Sequence, residues 1–468
     1  MDEITAFARE VVAKLIIGDA VLKLLRHVIE DESLAVELEQ HRGASYQRQI
    51  SFSHLTHLLC DTLISPDGSL DYLLRTWQRD GKAVATRQAY YGKLRRMPVE
   101  VSRAFFLHAA KRLGELHVPS AKEAMVLPSC FDGLEVRLLD GKELKHVAKR
   151  LVATRKSPGS LLGGMLLVGW DPRSQLVDMV AMTRDGEANE CTLVEDCVAP
   201  LARHPGKYLL VLDQQFGDLT QPARIAAVGQ HYLIRRHPKT HFHPDLQGET
   251  KTVTDAKGRT IRDEVGQLGS SEKAIRVRHL TIERPGESSI CVFTDLLDRS
   301  AYSALDLLDL YAHRWDIEGL FQQATETFGL SKFIGTSPEA VIFQSMLCLL
   351  MAHVTYVVQG QLAATKEKTA RDLSTKKLMR EVRGDLTALF RTVSLEQIDT
   401  LVTFEPNPQQ LREWLTTRLV GAWDDYYLKA VVKTKRLPRK KTKEAGAHRS
   451  VQRLIDAHQA KTQRKNDP

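Results

Sequence analysis

Residues 305–330 read LDLLDLYAHRWDIEGLFQQATETFGL. The stretch has no Pro, its one mid-stretch Gly is Gly319, and Leu, Ala, Gln and Glu fill it, which predicts one long helix. Tyr311, Arg314 and Glu318 stand at i, i+3 and i+7. At about 100° per residue they fall within roughly 60° of one another on one face. Leu307, Leu308, Leu310, Ile317, Leu320 and Phe321 make the rest of the helix apolar enough to be largely buried. A phenol, a guanidinium and a carboxylate in line on a buried helix need partners. An Arg314–Glu318 pair at i,i+4 on the surface is the simplest arrangement, worth a few tenths of a kcal/mol. What lies upstream decides whether the stripe does more.

From Leu134 the pattern is that of strands. GLEVRLLD alternates and closes on Asp140, and KYLLVLDQQF is an apolar, central-strand run that closes on Asp213, 73 residues later. Carboxylates at the ends of neighbouring strands can converge, and a helix packed across the sheet can bring Glu318 in as a third. Three carboxylates so placed repel unless divalent cations bind between them. Two Mg²⁺ ions about 4 Å apart then clamp an in-line phosphoryl displacement. On this reading Arg314 meets a backbone phosphate, and Tyr311 offers a hydroxyl and an aromatic face to a phosphate or an unstacked base.

Between these landmarks, SLLGGMLLVGWD and SQLVDMVAMT read as strands joined by an Asp-Pro turn, CTLVEDCVAPLARH and DLTQPARIAAVG as helices, and QHYLIRRH as a strand. The order βββαβαβ indicates a mixed sheet with helices against it. Residues 237–299 are polar and turn-rich; KTVTDAKGRTIRDEV reads as a hairpin about Lys257-Gly258, with IRVRHLTIE and SSICVFTDLLD as further strands. VIFQSMLCLLMAHVTYVVQG, although very apolar, carries Gln344 and His353 and reads as a buried core helix, not a membrane span. Residues 1–115 and 361–432 are helical in pattern.

Within 1–115, SLDYLLRTWQ and TRQAYYGKLRRM are helices with Ser69 and Thr86 as N-caps, separated at Gly81. From Lys82 to Arg96 there are five basic residues and no acid. A basic helix after a short turn is what a helix-turn-helix-like segment needs, here over residues 69–97, with Arg87, Gln88, Tyr91 and Arg95 as the contacts to DNA. A basic amphipathic surface helix has the same pattern. His54, His57 and Cys60 share a face of the preceding helix and read as structural.

The 468 residues suffice for two or three domains, and the net charge of +8 is uneven. Residues 433–468 hold 12 Lys+Arg and 3 Asp+Glu, so the remainder is near neutral, at −1. This basic tail is expected to be solvated and mobile, with a short helix near Val451–Ala460, and to add nonspecific DNA affinity. No secretory leader and no apolar run of about 18 residues is present, which predicts a soluble, intracellular protein. The six scattered cysteines suit reduced core positions; Cys191, Cys197 and His204 match no common zinc spacing.

With these motifs in place, the chain resembles the DDE transposases of the insertion-sequence-4 family of bacterial elements, whose catalytic domain is RNase H-like. The resemblance is carried by LLDGKELKH around Asp140, LLVLDQQFGDL around Asp213 and YAHRWDIEGLFQQAT around Glu318. The last fits the family signature Y-x2-R-x3-E-x6-K at Tyr311, Arg314 and Glu318. The match covers residues 130–360 and the N-terminal region more loosely.

The resemblance implies an α/β fold: an RNase H-like mixed sheet flanked by helices, a β-rich insertion before the last catalytic helix, and a helical N-terminal DNA-binding domain. The expected divisions are 1–115, 116–236, 237–299, 300–374, 375–432 and the tail 433–468. It implies a Mg²⁺-dependent enzyme, with Mn²⁺ substituting, that cleaves inverted-repeat ends and transfers their 3′-OH groups to target DNA. Asp140 would bridge both metals, Asp213 and Glu318 would take one each, and Tyr311 and Arg314 would hold the transferred end. Double-stranded DNA is the expected partner, a homodimer joined through residues 375–430 the expected active form, and the bacterial cytoplasm and nucleoid the expected location. Two departures stand out: the signature Lys falls on Thr325, left with one hydroxyl for the DNA, and Gln214 follows the second Asp where the family often has Arg. They keep open a catalytically degenerate DNA-binding protein, or a structure-specific nuclease of the same fold.

Overall fold

A computed structural model describes the chain except residues 1–2, 44–48, 65–68, 118–126, 257, 271, 284–288, 331–333, 431–447 and 467–468. Seven helices come first: α1 (Glu3–Lys14), α2 (Ile16–Ile29), α3 (Glu32–His41), α4 (Phe52–Ile64), α5 (Leu70–Arg79), α6 (Arg87–Arg95) and α7 (Val99–Leu116). Ser69 and Thr86 cap α5 and α6 by accepting from Tyr72 N–H and Ala89 N–H, both at 3.3 Å. Gly81, at φ 71°, makes the turn between them in a conformation that a side chain would strain.

The sheet then builds from β1 (Glu135–Glu143), β2 (Leu161–Leu162), β3 (Met165–Trp170) and β4 (Val177–Thr183). Helix α8 (Val194–Val198) lies between two 3₁₀ turns, because Pro200 has no N–H with which to continue the helix expected over 191–204. Next come β5 (Tyr208–Leu212), α9 (Thr220–Ala227) and β6 (His231–Arg235). Strands β1, β5 and β6 are parallel and β3 and β4 antiparallel, in the order β4-β3-β1-β5-β6. This is the strand order of an RNase H-like sheet within a mixed α/β protein. All five residues of β5 are buried, as a central parallel strand covered on both faces requires.

β7 (Phe242–Pro244), β8 (Lys251–Thr254), β9 (Thr260–Leu268), β10 (Ile275–Ile282) and β11 (Ile290–Thr294) extend the same sheet, because β11 pairs antiparallel with β6. The expected hairpin forms between β8 and β9, with Thr254 opposite Thr260; Lys257 lies outside the described residues.

The stretch 305–330 is two helices, α10 (Ala304–Ala312) and α11 (Arg314–Thr327), where one was expected. At the junction His313 N–H bonds Leu310 O and Asp316 N–H bonds His313 O, both i→i+3, so the chain tightens by one 3₁₀ step. The His313 ring also meets Asp316 Oδ2 at 3.0 Å. After α11, α12 (Pro338–Ala364) runs through the middle of the protein. It is the one described helix long and apolar enough to cross a membrane, and 94% of its most apolar window is buried. A helix apolar all round belongs inside a core. Two of its buried polar residues bond outside the helix: Gln344 Oε1 accepts from Ile334 N–H at 2.7 Å, and His353 Nε2 accepts from Val177 N–H at 3.0 Å. Burial lowers the His353 pKa to about 3, which keeps that nitrogen an acceptor.

Phe343 of α12 packs against Phe52 and Phe105, which ties the N-terminal helices to the same core as the sheet. Helices α13 (Thr375–Thr392), α14 (Leu395–Leu401) and α15 (Pro408–Leu419) complete this layer. The opposite face of the sheet is closed by α8 and α9 over Leu139, Leu167, Leu210 and Leu212. Beyond residue 447 the expected helix forms, longer than expected, and its start is anchored rather than free. β12 (Arg449–Ser450) pairs with β2, α16 runs over Val451–Asn466, and Arg453 binds Asp185 and Glu187. Strand pairing and these ion pairs anchor the start of the helix, while most of its residues remain exposed.

The segment leading into α10 is fixed by a buried charge. Arg278, fully buried, donates to both carboxylate oxygens of Asp263 at 3.0 and 2.7 Å and to Tyr302 O at 2.6 Å, and Arg299 joins the same carboxylate at 3.2 Å. Removing one partner of such a pair strands the other charge in the interior. Asp263→Ala should therefore cost about 3–5 kcal/mol in urea unfolding; a loss under about 1 kcal/mol would show that the pair does not hold this segment.

Candidate active site

Asp140 and Asp213 owe their proximity to strand register. The parallel pairing of β1 with β5 ends at Leu139 opposite Leu212. The next residue on each strand is an aspartate, so the two carboxylates leave neighbouring backbones about 4.8 Å apart. β1 does not stop at Asp140 as expected; it runs on to Glu143 against β3, with Asp140 opposite Val168. Asp140 is instead where β1 parts from β5.

Helix α11 packs over this edge, with Ile317, Phe321 and Ala324 buried. It carries Arg314 into the acidic centre: Nη1 stands 3.8 Å from Asp213 and Nη2 3.4 Å from Glu318. Arg314 is only 2% exposed. Burial opposes its charge, but Asp213, Tyr311, Asp140 and Glu318 outweigh that and hold it above its ordinary pKa. Tyr311 is buried and donates to Asp213 Oδ1 at 3.4 Å; burial first, then Asp213, pushes the phenol up to about 12.

Tyr311 and Arg314 thus face the acidic centre. The guanidinium offsets part of the negative charge gathered there.

Asp140 has its pKa raised to about 6, by burial first, with Asp213 and Glu318 adding to the shift and Arg314 and the Gly141 N–H opposing it. A fourth carboxylate, Glu190, is raised to about 7 by burial and by Asp140, Asp213 and Glu143. It fills the space beside β1 where Gly141 has no side chain: a Cβ there would lie 1.4 Å from Glu190 Oε2. Sequence reasoning missed Glu190 because it sits in a 3₁₀ turn with no motif around it, 50 residues from Asp140.

An all-oxygen donor set of this kind suits hard cations such as Mg²⁺ or Mn²⁺. Among the described residues no three such groups stand ready as a metal cage. Arg314 stands beside Asp213 and Glu318 and feels the charge of Asp140, so the same carboxylates that would hold a metal also hold the guanidinium.

A cleft of about 840 Å³ opens beside this centre, lined by Gly141, Lys142, Glu190, Gln215 and Thr325 among others. Thr325 does reach the cleft, but its hydroxyl donates to Phe321 O at 2.7 Å, so the hydrogen bond expected for DNA is made within its own helix. The other expected contacts lie on α6, apart from the acidic centre. Arg87 pairs with Asp71 at 3.1 Å and Tyr91 donates to the same carboxylate at 3.3 Å, which pins α6 to α5. Gln88 and Arg95 remain exposed.

Glu190 allows a test by pH. Its folded pKa lies above the ordinary glutamate value of about 4.3, so its contribution to stability is complete below that pH and is lost as pH rises through about 7. Glu190→Gln, which cannot ionise, should melt close to wild type near pH 4.3 and above it at pH 8. A melting difference that does not change with pH would remove Glu190 from the acidic cluster.

Residues 132–355, just under half of the chain, match the family model described as a transposase DDE domain. No curated protein matches the chain. Among solved structures, the cryo-electron microscopy structure of the piggyBac transposase synaptic complex with hairpin DNA is similar at 10% identity and a TM-score of 0.41, over 87% of this chain and 88% of that one. The domain match spans Asp140, Asp213 and Glu318 and supports a DDE transposase.

Proposed function

We propose that the protein is a DNA transposase of the insertion-sequence-4 type, which cleaves the inverted-repeat ends of its element and joins the freed 3′-OH ends to target DNA. The observation that carries this reading is the placement of Asp140 and Asp213 in adjacent register at one sheet edge, with Glu318 brought to them through Arg314. Asp140, Asp213 and Glu318 would hold Mg²⁺, which when bound supplies Lewis-acid stabilisation of the phosphodiester transition state.

The chain's own residues do the rest. Asp140 and Asp213, fixed to strand ends, give a rigid acidic edge. Glu318, the most exposed of the three, closes it from α11. Arg314 balances the carboxylates and would be placed to meet a backbone phosphate brought to this edge. Helix α6 presents Gln88 and Arg95 to the element ends. Both ends must be cut together, which calls for two copies of the chain in the active complex.

A DNA-binding protein without strand transfer is the second reading, and the occupied Thr325 hydroxyl favours it. Incubation of the whole chain with duplexes bearing the element ends, in Mg²⁺ or Mn²⁺, separates the two. Wild type should nick the ends, and Asp140→Ala, Asp213→Ala and Glu318→Ala should each lower the rate at least about a thousandfold, roughly 4 kcal/mol of transition-state stabilisation, while end binding survives. Metal-independent nicking, or normal cleavage by any of the three variants, would refute the assignment.

A further inference from the structure

The segment that follows Asp140 carries a charge pattern that the acidic centre does not use. From Leu144 to Lys156 the chain reads LKHVAKRLVATRK, with five Lys or Arg and no Asp or Glu. Its apolar members face in: Leu144, Val147 and the side chain of Thr154 are buried, and Leu151 packs against the core. Val147 N–H bonds Leu161 O, and Thr154 and Arg155 N–H both bond Leu151 O, so the backbone is fixed on the surface of the sheet. The basic side chains are left outward. Lys149, Arg150, Arg155 and Lys156 are exposed, and none of them has an ion pair to a described residue. Lys145 alone is matched, to Glu143 at 2.7 Å.

The two ends of this segment open onto different hollows. Lys142, Lys145 and His146 line the cleft beside Asp140 and Glu190. Arg150 and Leu151 line a second hollow of about 330 Å³, whose other wall is Arg87, Gln88, Tyr91 and Arg95 of α6. At Lys142 the ammonium sits 5.5 Å from the ring centre of Phe321 on α11, with no carboxylate among the described residues paired to it. The segment therefore joins the catalytic cleft to the helix bearing the residues expected to meet the element ends. From Lys145 to Arg150 the chain spans at most about 18 Å, which is about five base-pair steps of duplex at 3.4 Å each.

We propose that residues 142–156 form a track for the phosphate backbone of duplex DNA, running from the cleft at Lys142 through Lys149 to the Arg150–Arg95 hollow on α6. The track rests on the transposase reading for the identity of the polyanion. It sets the distance between the bases that α6 meets and the bond cut at Asp140. Unpaired, outward cations on a fixed backbone gain from meeting phosphates by releasing counterions, so each cation that does so leaves its mark on the salt dependence of binding.

The test uses the whole chain and a fluorescein-labelled random-sequence duplex, in EDTA, with anisotropy followed across a series of KCl concentrations. Lys149→Ala/Arg150→Ala should lower the slope of log K against log [salt] by about 1.8, or about 0.9 for each phosphate no longer neutralised. Lys149→Arg/Arg150→Lys, which keeps both charges, should keep the wild-type slope. An unchanged slope in the alanine variant overturns the track, as does an equal fall in the charge-conserving variant, which would mark a structural role. Because no cleavage is involved, a slope change in the alanine variant together with a wild-type protein that never nicks DNA would leave the track standing and remove the transposase reading. Normal cleavage with an unchanged slope would do the reverse.

Discussion

Like-charge repulsion at the edge of one sheet is the constraint on which the rest of this structure depends. Asp140, Asp213, Glu318 and Glu190 are gathered where burial raises the pKa of Asp140 to about 6 and that of Glu190 to about 7. Two unit charges about 4 Å apart interact by about 4 kcal/mol at an effective dielectric near 20, so a cluster of this kind is relieved by taking up protons or by a counter-charge. The structure answers with one guanidinium, that of Arg314, delivered by a helix whose first residue it is.

That answer explains features of the fold that otherwise look unrelated. The 3₁₀ step at His313 starts α11 afresh at Arg314, one turn before Glu318, so both side chains reach the sheet edge together. The buried Asp263–Arg278–Arg299 group fixes the segment that leads into α10. Gly141 lacks a side chain where Glu190 must lie. Helix α12, buried along nearly its whole length, is the platform against which α11 and the N-terminal helices are set.

The same centre shows how charge is divided over the molecule. Acidic groups are concentrated where β1 parts from β5, and unpaired basic groups lie on the segment immediately after, between that edge and α6. A negatively charged polymer would be repelled by the first and attracted by the second unless a cation intervenes. An acidic edge with a basic approach is the charge division that the proposed DNA track and metal site would both draw on.

Much of this was legible in local sequence because its causes are local. The unbroken apolar run YLLVL makes a central strand, Ser69 and Thr86 cap their helices, and the apolar girth of 338–364 makes a core helix, whichever way the chain folds around them. The three acidic positions were also visible, Asp140 and Asp213 at the ends of apolar runs and Glu318 on a polar stripe with Tyr311 and Arg314. What the sequence could not state is what these side chains touch. Whether Asp140 ends its strand, whether Arg314 turns toward solvent or toward Asp213, and that Glu190 joins the group at all depend on the register between strands 73 residues apart and on the packing of α11 across them. Local propensity carries no information about those distances, and only the tertiary structure, by bringing the carboxylates together with Arg314 beside them, decided the matter.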